Sequence, residues 1–350
     1  AIMYKLLLYT LAKTTRISLR IMESMYASPL FQKMIGTSEQ TTRHSSFADR
    51  LKKINTDYFA EIFEHLVKTY HKQFAPKDVK NIYRFDSTII GLSARLFTKG
   101  MNYSGLKNKL HVKVSIGQRG VIPSFVRFYT NQSEASEDVA LRRTIQEATI
   151  DQSDVVTFDR GLAKGETLVE LSQKNITIVT RIRVGRPLNI IETMEESNEE
   201  NARKTKTVAI LSDQMVQLRN PATQSFFAIP FRLIKAKSFE TKEEIWFLTN
   251  DFSSTAEDIT EIYKRRWDIE VFFRFIKQEL NFKHFLARNL NGLISYLYMV
   301  LILAILFLIY KTSNNKTGYK IAKMQFVQEL ENEVFADMIQ FCGGDPMVFR

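Results

Sequence analysis

The sequence predicts an α/β fold: a mixed sheet flanked by helices, preceded by a helical region and interrupted by a β-rich insertion. Three observations carry this. Apolar residues keep helical spacing within residues 1–80, as at Phe59, Ile62, Phe63, Leu66 and Val67. From Asn81 onward, short apolar strands alternate with helical segments in the order strand, hairpin, helix, strand, helix, strand. Between 182 and 250 the texture changes to short strands broken by Pro187, Pro221 and Pro230. The expected division is a helical N-terminal region over 1–80, an α/β domain over 81–181 and 251–310, an insertion over 182–250, and a C-terminal tail over 311–350.

The elements follow in order. Residues 36–46 are polar and read as a loop. Residues 82–85 form a short apolar strand that ends at Asp86. Residues 110–116, LHVKVSI, alternate strictly, a turn follows at Gln118, Arg119 and Gly120, and 122–129 returns as the second arm of a hairpin. Asp138 opens a helix to about Ala148. DVVTF at 154–158 is a buried strand, followed by a glycine-containing loop, a helix over 166–173 and a strand over 176–181. In the insertion, 208–211, 226–229, 231–234 and 245–249 are candidate strands around the acidic EESNEE and basic RKTK runs. A long helix is expected over 254–280, with Ser254 or Thr255 as its cap and Glu257 and Asp258 in its first turn.

Composition narrows the chemistry. Of 350 residues, 49 are Lys or Arg and 38 are Asp or Glu, a formal charge of +11 that favours a polyanionic partner, nucleic acid before an anionic membrane. With 45% hydrophobic and 25% charged residues, a mainly disordered chain is excluded. One cysteine, Cys342, excludes an internal disulfide and a cysteine-rich zinc module, and the histidines are scattered. A metal would therefore be held by carboxylates, which points to Mg²⁺ or Mn²⁺. Residues 293–310 are free of charge and long enough to span a membrane, but the segment is solitary and has basic residues on both flanks (Lys283, Arg288, Lys311, Lys316). A buried helix of a soluble domain is the expectation.

Two aspartates sit at strand ends, Asp86 after IYRF and Asp159 after VVTF, at the sheet edge where ligands bind. On the 254–280 helix, Tyr263, Arg266, Glu270 and Lys277 fall within an arc of roughly 60°, and Arg274 joins that face. Such a face is also what i, i+4 salt bridges on a solvated helix look like. Asp86, Asp159 and Glu270 together make a carboxylate triad able to hold two divalent metals for in-line phosphoryl displacement, with the neighbouring cations on the phosphates.

On these residues the sequence resembles the bacterial insertion-sequence transposases with a DDE triad and a Y-R-E-K signature. The spacing Y-x2-R-x3-E-x6-K is met by Tyr263, Arg266, Glu270 and Lys277, while YRFDST at 83–88 and TFDRG at 157–161 resemble the two aspartate blocks. The resemblance runs from about 40 to about 310. It implies a ribonuclease-H-like catalytic domain with the β-rich insertion between the second aspartate and the glutamate. It also implies Mg²⁺-dependent cut-and-paste chemistry, with Mn²⁺ as a substitute, through a DNA hairpin. The partners implied are double-stranded DNA, as inverted-repeat ends and target, and a second copy of the chain in the synaptic complex. A bacterial cytoplasmic, nucleoid-associated location follows, with no membrane. Trp246, in IWFLTN, stands where such enzymes stack a flipped base, although a core aromatic of a strand reads the same way. Only 85 residues precede Asp86, fewer than is usual in the family, so part of the end-recognition region is expected to be missing. The alternative expectation is an inactive relic that only binds DNA.

Overall fold

Capped amphipathic segments build the N-terminal layer. Ser18 and Ser28 accept hydrogen bonds from Ile21 and Phe31 backbone N–H groups and start two helices. In the computed structural model the helices are α1 (Ile2–Lys13), α2 (Leu19–Tyr26), α3 (Pro29–Met34), α4 (His44–Lys53) and α5 (Asp57–Phe74). The structure describes residues 2–341 except 15, 38–40, 75–80, 94–100, 103–108, 163, 283–284 and 287–288. Cys342, Lys283, His284 and Arg288 lie outside the described residues.

The sheet begins at Asn81. Its strands are β1 (Asn81–Ser93), β2 (Lys109–Arg119), β3 (Ile122–Tyr129), β4 (Asp154–Phe158), β5 (Thr177–Ile182), β6 (Leu188–Glu196), β7 (Arg203–Lys204), β8 (Val208–Arg219), β9 (Phe226–Ser238) and β10 (Glu244–Thr249). The helices α6 (Glu137–Glu147) and α7 (Gly165–Gln173) connect the first strands, and α8 (Ala256–Lys264), α9 (Trp267–Glu279), α10 (Leu290–Ser313) and α11 (Tyr319–Phe341) close the described chain. Strands run in the order β3-β2-β1-β4-β5-β10-β9-β8-β6, with β7 on β8. β1, β4 and β5 are parallel, and the remaining pairs are antiparallel.

Side-chain alternation splits the sheet into two faces. Tyr83, Phe85, Val156 and Phe158 point to one face and pack with Leu141, Ile145, Leu168 and Leu171 of α6 and α7. Ile90 and Leu92 point to the other, under α9 and α10. The Tyr83 and Phe85 rings, 4.4 Å apart, need Gly117 opposite Phe85, where a Cβ would meet each ring at 2.7 Å.

Four expectations change. The strand that was to end at Asp86 continues to Ser93, because Thr88, Ile90 and Leu92 go on burying one face. The insertion strands are longer than their apolar stretches and extend the same ten-stranded sheet through the β5–β10 pairing. The segments 226–229 and 231–234 form one strand across Pro230, beside a register shift between Gln217 and Arg219. Finally, the 254–280 helix is two helices, with a physical cause given below. The apolar 293–310 segment lies in α10, which packs on α1, α4, α5, α9 and β3. Among the described residues α10 is the one helix long and apolar enough to cross a membrane, and 78% of its apolar window is buried within the protein.

Candidate active site

The parallel pairing of β1 with β4 sets Phe85 opposite Phe158. The next residues on the two strands are Asp86 and Asp159. Neighbouring strands lie about 4.8 Å apart, so the aspartates stand side by side where β4 stops, Asp159 just past its strand and Asp86 still within β1 opposite Ile116. Both have the parity of the face opposite the Phe85 and Phe158 rings, the face that carries α8 and α9.

Arg84 fixes how those helices approach. Its guanidinium is fully buried and donates to the carbonyls of Arg265 (2.5 Å), Gly120 (2.8 Å) and Ile82 (3.3 Å), and to Asp268 (2.8 Å). Taking the Arg265 carbonyl out of a regular ladder breaks the helix between Lys264 and Trp267. The junction is bridged by tight i to i+3 bonds, from Arg266 N–H to the Tyr263 carbonyl (2.9 Å) and from Asp268 N–H to Arg265 (3.2 Å). A lone arginine in an apolar strand thus cuts a helix far away in sequence.

The break sorts the signature residues. Tyr263, at the end of α8, is buried: its ring packs against Phe247 at 5.5 Å, with the Arg181 and Arg266 guanidinia 5.9 and 5.7 Å from its centre. Burial raises its hydroxyl pKa against the opposing pull of Arg266. Arg266 opens α9 and donates to Glu270 at 2.5 Å. Burial pulls its pKa down, but Tyr263, Glu270 and Asp159 outweigh that and hold it above the ordinary value. A turn further on, Arg274 and Lys277 share a cleft of about 420 Å³ with Glu270, Asp86 and Thr88, and the Lys277 ammonium lies 5.2 Å over the Phe273 ring.

Asp86 is strongly perturbed. Its carboxylate accepts from the Ser87 N–H at 2.8 Å, yet burial, with Glu137 and Glu270 as like charges, pushes its pKa up to about 6. Arg266 acts in the opposite direction on Asp86. One guanidinium is therefore the shared electrostatic neighbour of Asp86, Asp159 and Glu270. Among the described residues no three Asp, Glu, His or Cys side chains are already gathered around one point as ion ligands. The donor set still suits a hard divalent cation, since all the oxygens are carboxylate and Asp86 is held up by its acidic neighbours.

Glu137 is a neighbour of the site that the sequence does not single out. It sits at the start of α6, pairs with the buried Lys113 at 3.4 Å and bears on Asp86. No spacing pattern signals it, because its place comes from the packing of α6 on β1 and β2. Trp246 is on β10 opposite Ile182, at the end of the sheet where Asp159 lies. Its indole N–H donates to Glu244 at 2.6 Å, and Lys235 lies 5.0 Å over its ring. It is partly exposed and does not line the Asp86–Glu270 cleft.

Residues 85–306 match the family described as Transposase DDE domain. The chain is similar to a protein named as a transposase for insertion sequence element IS4SA from Synechocystis sp., 24% identical over 77% of this chain and 72% of that one. It is also similar to one named as a transposase for insertion sequence element IS5377 from Geobacillus stearothermophilus, 21% identical over 81% of this chain and 72% of that one. Among solved structures, a piggyBac transposase synaptic complex with hairpin DNA is similar at a TM-score of 0.48 and 13% identity, over 96% of this chain and 71% of that one.

Proposed function

The chain belongs to the Transposase DDE domain family, and from that premise we propose that it cuts insertion-sequence ends and joins them to target DNA with Asp86, Asp159 and Glu270 as its catalytic carboxylates. The observation that carries this reading is the register of β1 on β4, which sets the two aspartates side by side beneath the helix bearing Glu270. The strand order β3-β2-β1-β4-β5, a three-stranded meander followed by two parallel strands, supports a ribonuclease-H-like catalytic domain.

The three carboxylates would hold Mg²⁺, with Mn²⁺ as a substitute. When bound, such ions supply activation of the attacking oxygen and charge stabilisation at the phosphorus. The chain's own residues supply the rest. Arg274 and Lys277 bind DNA phosphates at the mouth of the cleft. Arg266 exchanges its bond to Glu270 for one to a phosphate, which frees the carboxylate as the substrate arrives. Tyr263 braces that guanidinium from the core side. Trp246 offers an indole face to an unstacked base, in keeping with a hairpin pathway. The partners are inverted-repeat ends and target DNA, bound by a homodimer in the bacterial cytoplasm at the nucleoid.

The test is cleavage of a supercoiled plasmid carrying the element with its flanks, in Mg²⁺ and in chelator. Glu270→Gln should lower cleavage by several orders of magnitude while DNA affinity stays level or rises. A Glu270→Gln chain that cuts near the wild-type rate overturns the assignment. Wild-type chain that binds the plasmid without cutting it in Mg²⁺ or Mn²⁺ would instead identify a DNA-binding relic.

A further inference from the structure

We propose that Arg160, Arg183, Arg186 and Arg219 form a phosphate track that holds a DNA strand as it leaves the Asp159 side of the cleft. The proposal rests on the transposase reading and adds a contact surface outside the Y-R-E-K helix.

The track is built by two local structures at one sheet edge. Arg160 immediately follows Asp159, in the short 3₁₀ turn that closes β4. β5 runs parallel to β4 with Thr180 opposite Phe158, so the residues after Ile182 emerge beside those after Asp159. There the chain makes a β-turn, with Arg186 N–H bonding the Arg183 carbonyl at 3.2 Å and Gly185 at φ 77°. A positive φ at the third position is the mark of a type II turn, which brings its first and fourth residues within about 7 Å. Here both are arginines. A Cβ on Gly165 would lie 2.8 Å from the Phe227 ring, the clash that glycine avoids, and the Arg186 Nη2 lies 3.4 Å from the same point, so that guanidinium rests against the start of α7.

The result is a cleft of about 520 Å³ lined by Arg160, Gly161, Arg183 and Arg186. A second cleft shares Arg186 and continues to Arg219 and Gln224, at the β8–β9 end of the insertion. Guanidinia match phosphate oxygens in pairs. A track of two adjoining clefts is longer than one phosphate, and it starts at the residue after Asp159. A run of backbone phosphates therefore fits it better than a single free anion.

The experiment is fluorescence anisotropy of the full chain with a labelled 30-base-pair duplex of arbitrary sequence, in chelator, over a salt series. Arg160→Ala/Arg183→Ala should flatten the log affinity against log salt slope by about two, and Arg219→Ala by about one. Arg160→Lys/Arg183→Lys should keep the slope, which separates lost charge from lost fold. Lys174→Ala, the same charge change at the far end of α7, should leave the slope alone. An unchanged slope in the double alanine variant overturns the track. So does displacement of the duplex by inorganic phosphate at constant ionic strength, because the cluster would then be a free-anion site. A wild-type chain with no salt slope would overturn the transposase reading as well, and so is distinguishable from failure of the track alone.

Discussion

Asp86→Asn should make the metal-free protein more stable at neutral pH, although it should abolish cleavage. Burial and the charges of Glu137 and Glu270 raise the Asp86 pKa from 3.8 to about 6. Below pH 3.8 the group is neutral in both folded and unfolded chains. As pH rises toward 6 the unfolded chain releases its proton first, so stability falls across that window and is level above it. A shift of about 2 units corresponds to about 3 kcal/mol. Asparagine keeps the acceptor for the Ser87 N–H and never ionises, so it escapes this penalty. Urea unfolding in chelator from pH 4 to 8 should show wild-type stability declining by about 2–3 kcal/mol relative to the variant. Adding Mg²⁺ at pH 7.5 should raise wild-type stability by mass action and the variant's much less. A variant that is less stable than wild type at pH 7.5 in chelator, or that follows the same pH profile, would refute the electrostatic reasoning.

The helix break gives another test. Arg84→Met removes the guanidinium that ties the Arg265 and Gly120 carbonyls to the half-exposed Asp268 carboxylate, and should cost about 1–3 kcal/mol in urea unfolding. Hydrogen exchange should rise first at the α8–α9 junction, and uniform loss of protection instead would show that Arg84 is not the local clamp. Gly117→Ala forces a methyl into the Tyr83 and Phe85 rings and should destabilise by about 1–3 kcal/mol, read as a lower Tm by calorimetry. An unchanged Tm there would mean the rings yield freely.

Much of this was legible in the sequence where a local pattern coincides with a physical cause. LHVKVSI alternates because β2 turns Val112, Val114 and Ile116 into one apolar core and His111, Lys113 and Ser115 to the other face, and DVVTF is short and apolar because β4 is covered on both faces. The charge-free 293–310 run is apolar because α10 is buried over most of its surface, with Ile294, Tyr298 and Ile309 only partly covered. Y-R-E-K spacing singles out four residues but not their arrangement. Periodicity places Tyr263 and Lys277 on one face of a continuous helix, whereas a buried guanidinium from β1 interrupts that helix and turns Tyr263 into the core. Strand β6 escaped notice because Ile190, Ile191 and Met194 remain exposed and the acidic run at its end reads as loop. Glu137 was passed over for a similar reason: what makes it relevant is Lys113 and Asp86, both distant in sequence.

The seam between β5 and β10 has a consequence for how such a chain can diversify. The insertion departs from β5 at Ile182 and comes back at Glu244 on β10, the strand next door, which is hydrogen-bonded to the one it departed from. Everything between is a detour whose entry and exit are pinned together. Strands can be lengthened, shortened or exchanged along it without displacing the aspartates on β1 and β4 or the glutamate on α9, since none of those elements is routed through the detour. Substrate preference written into the outer strands is thus free to drift while the cutting centre is held fixed, and grafting a foreign insertion across this seam should transfer contacts without retuning the chemistry.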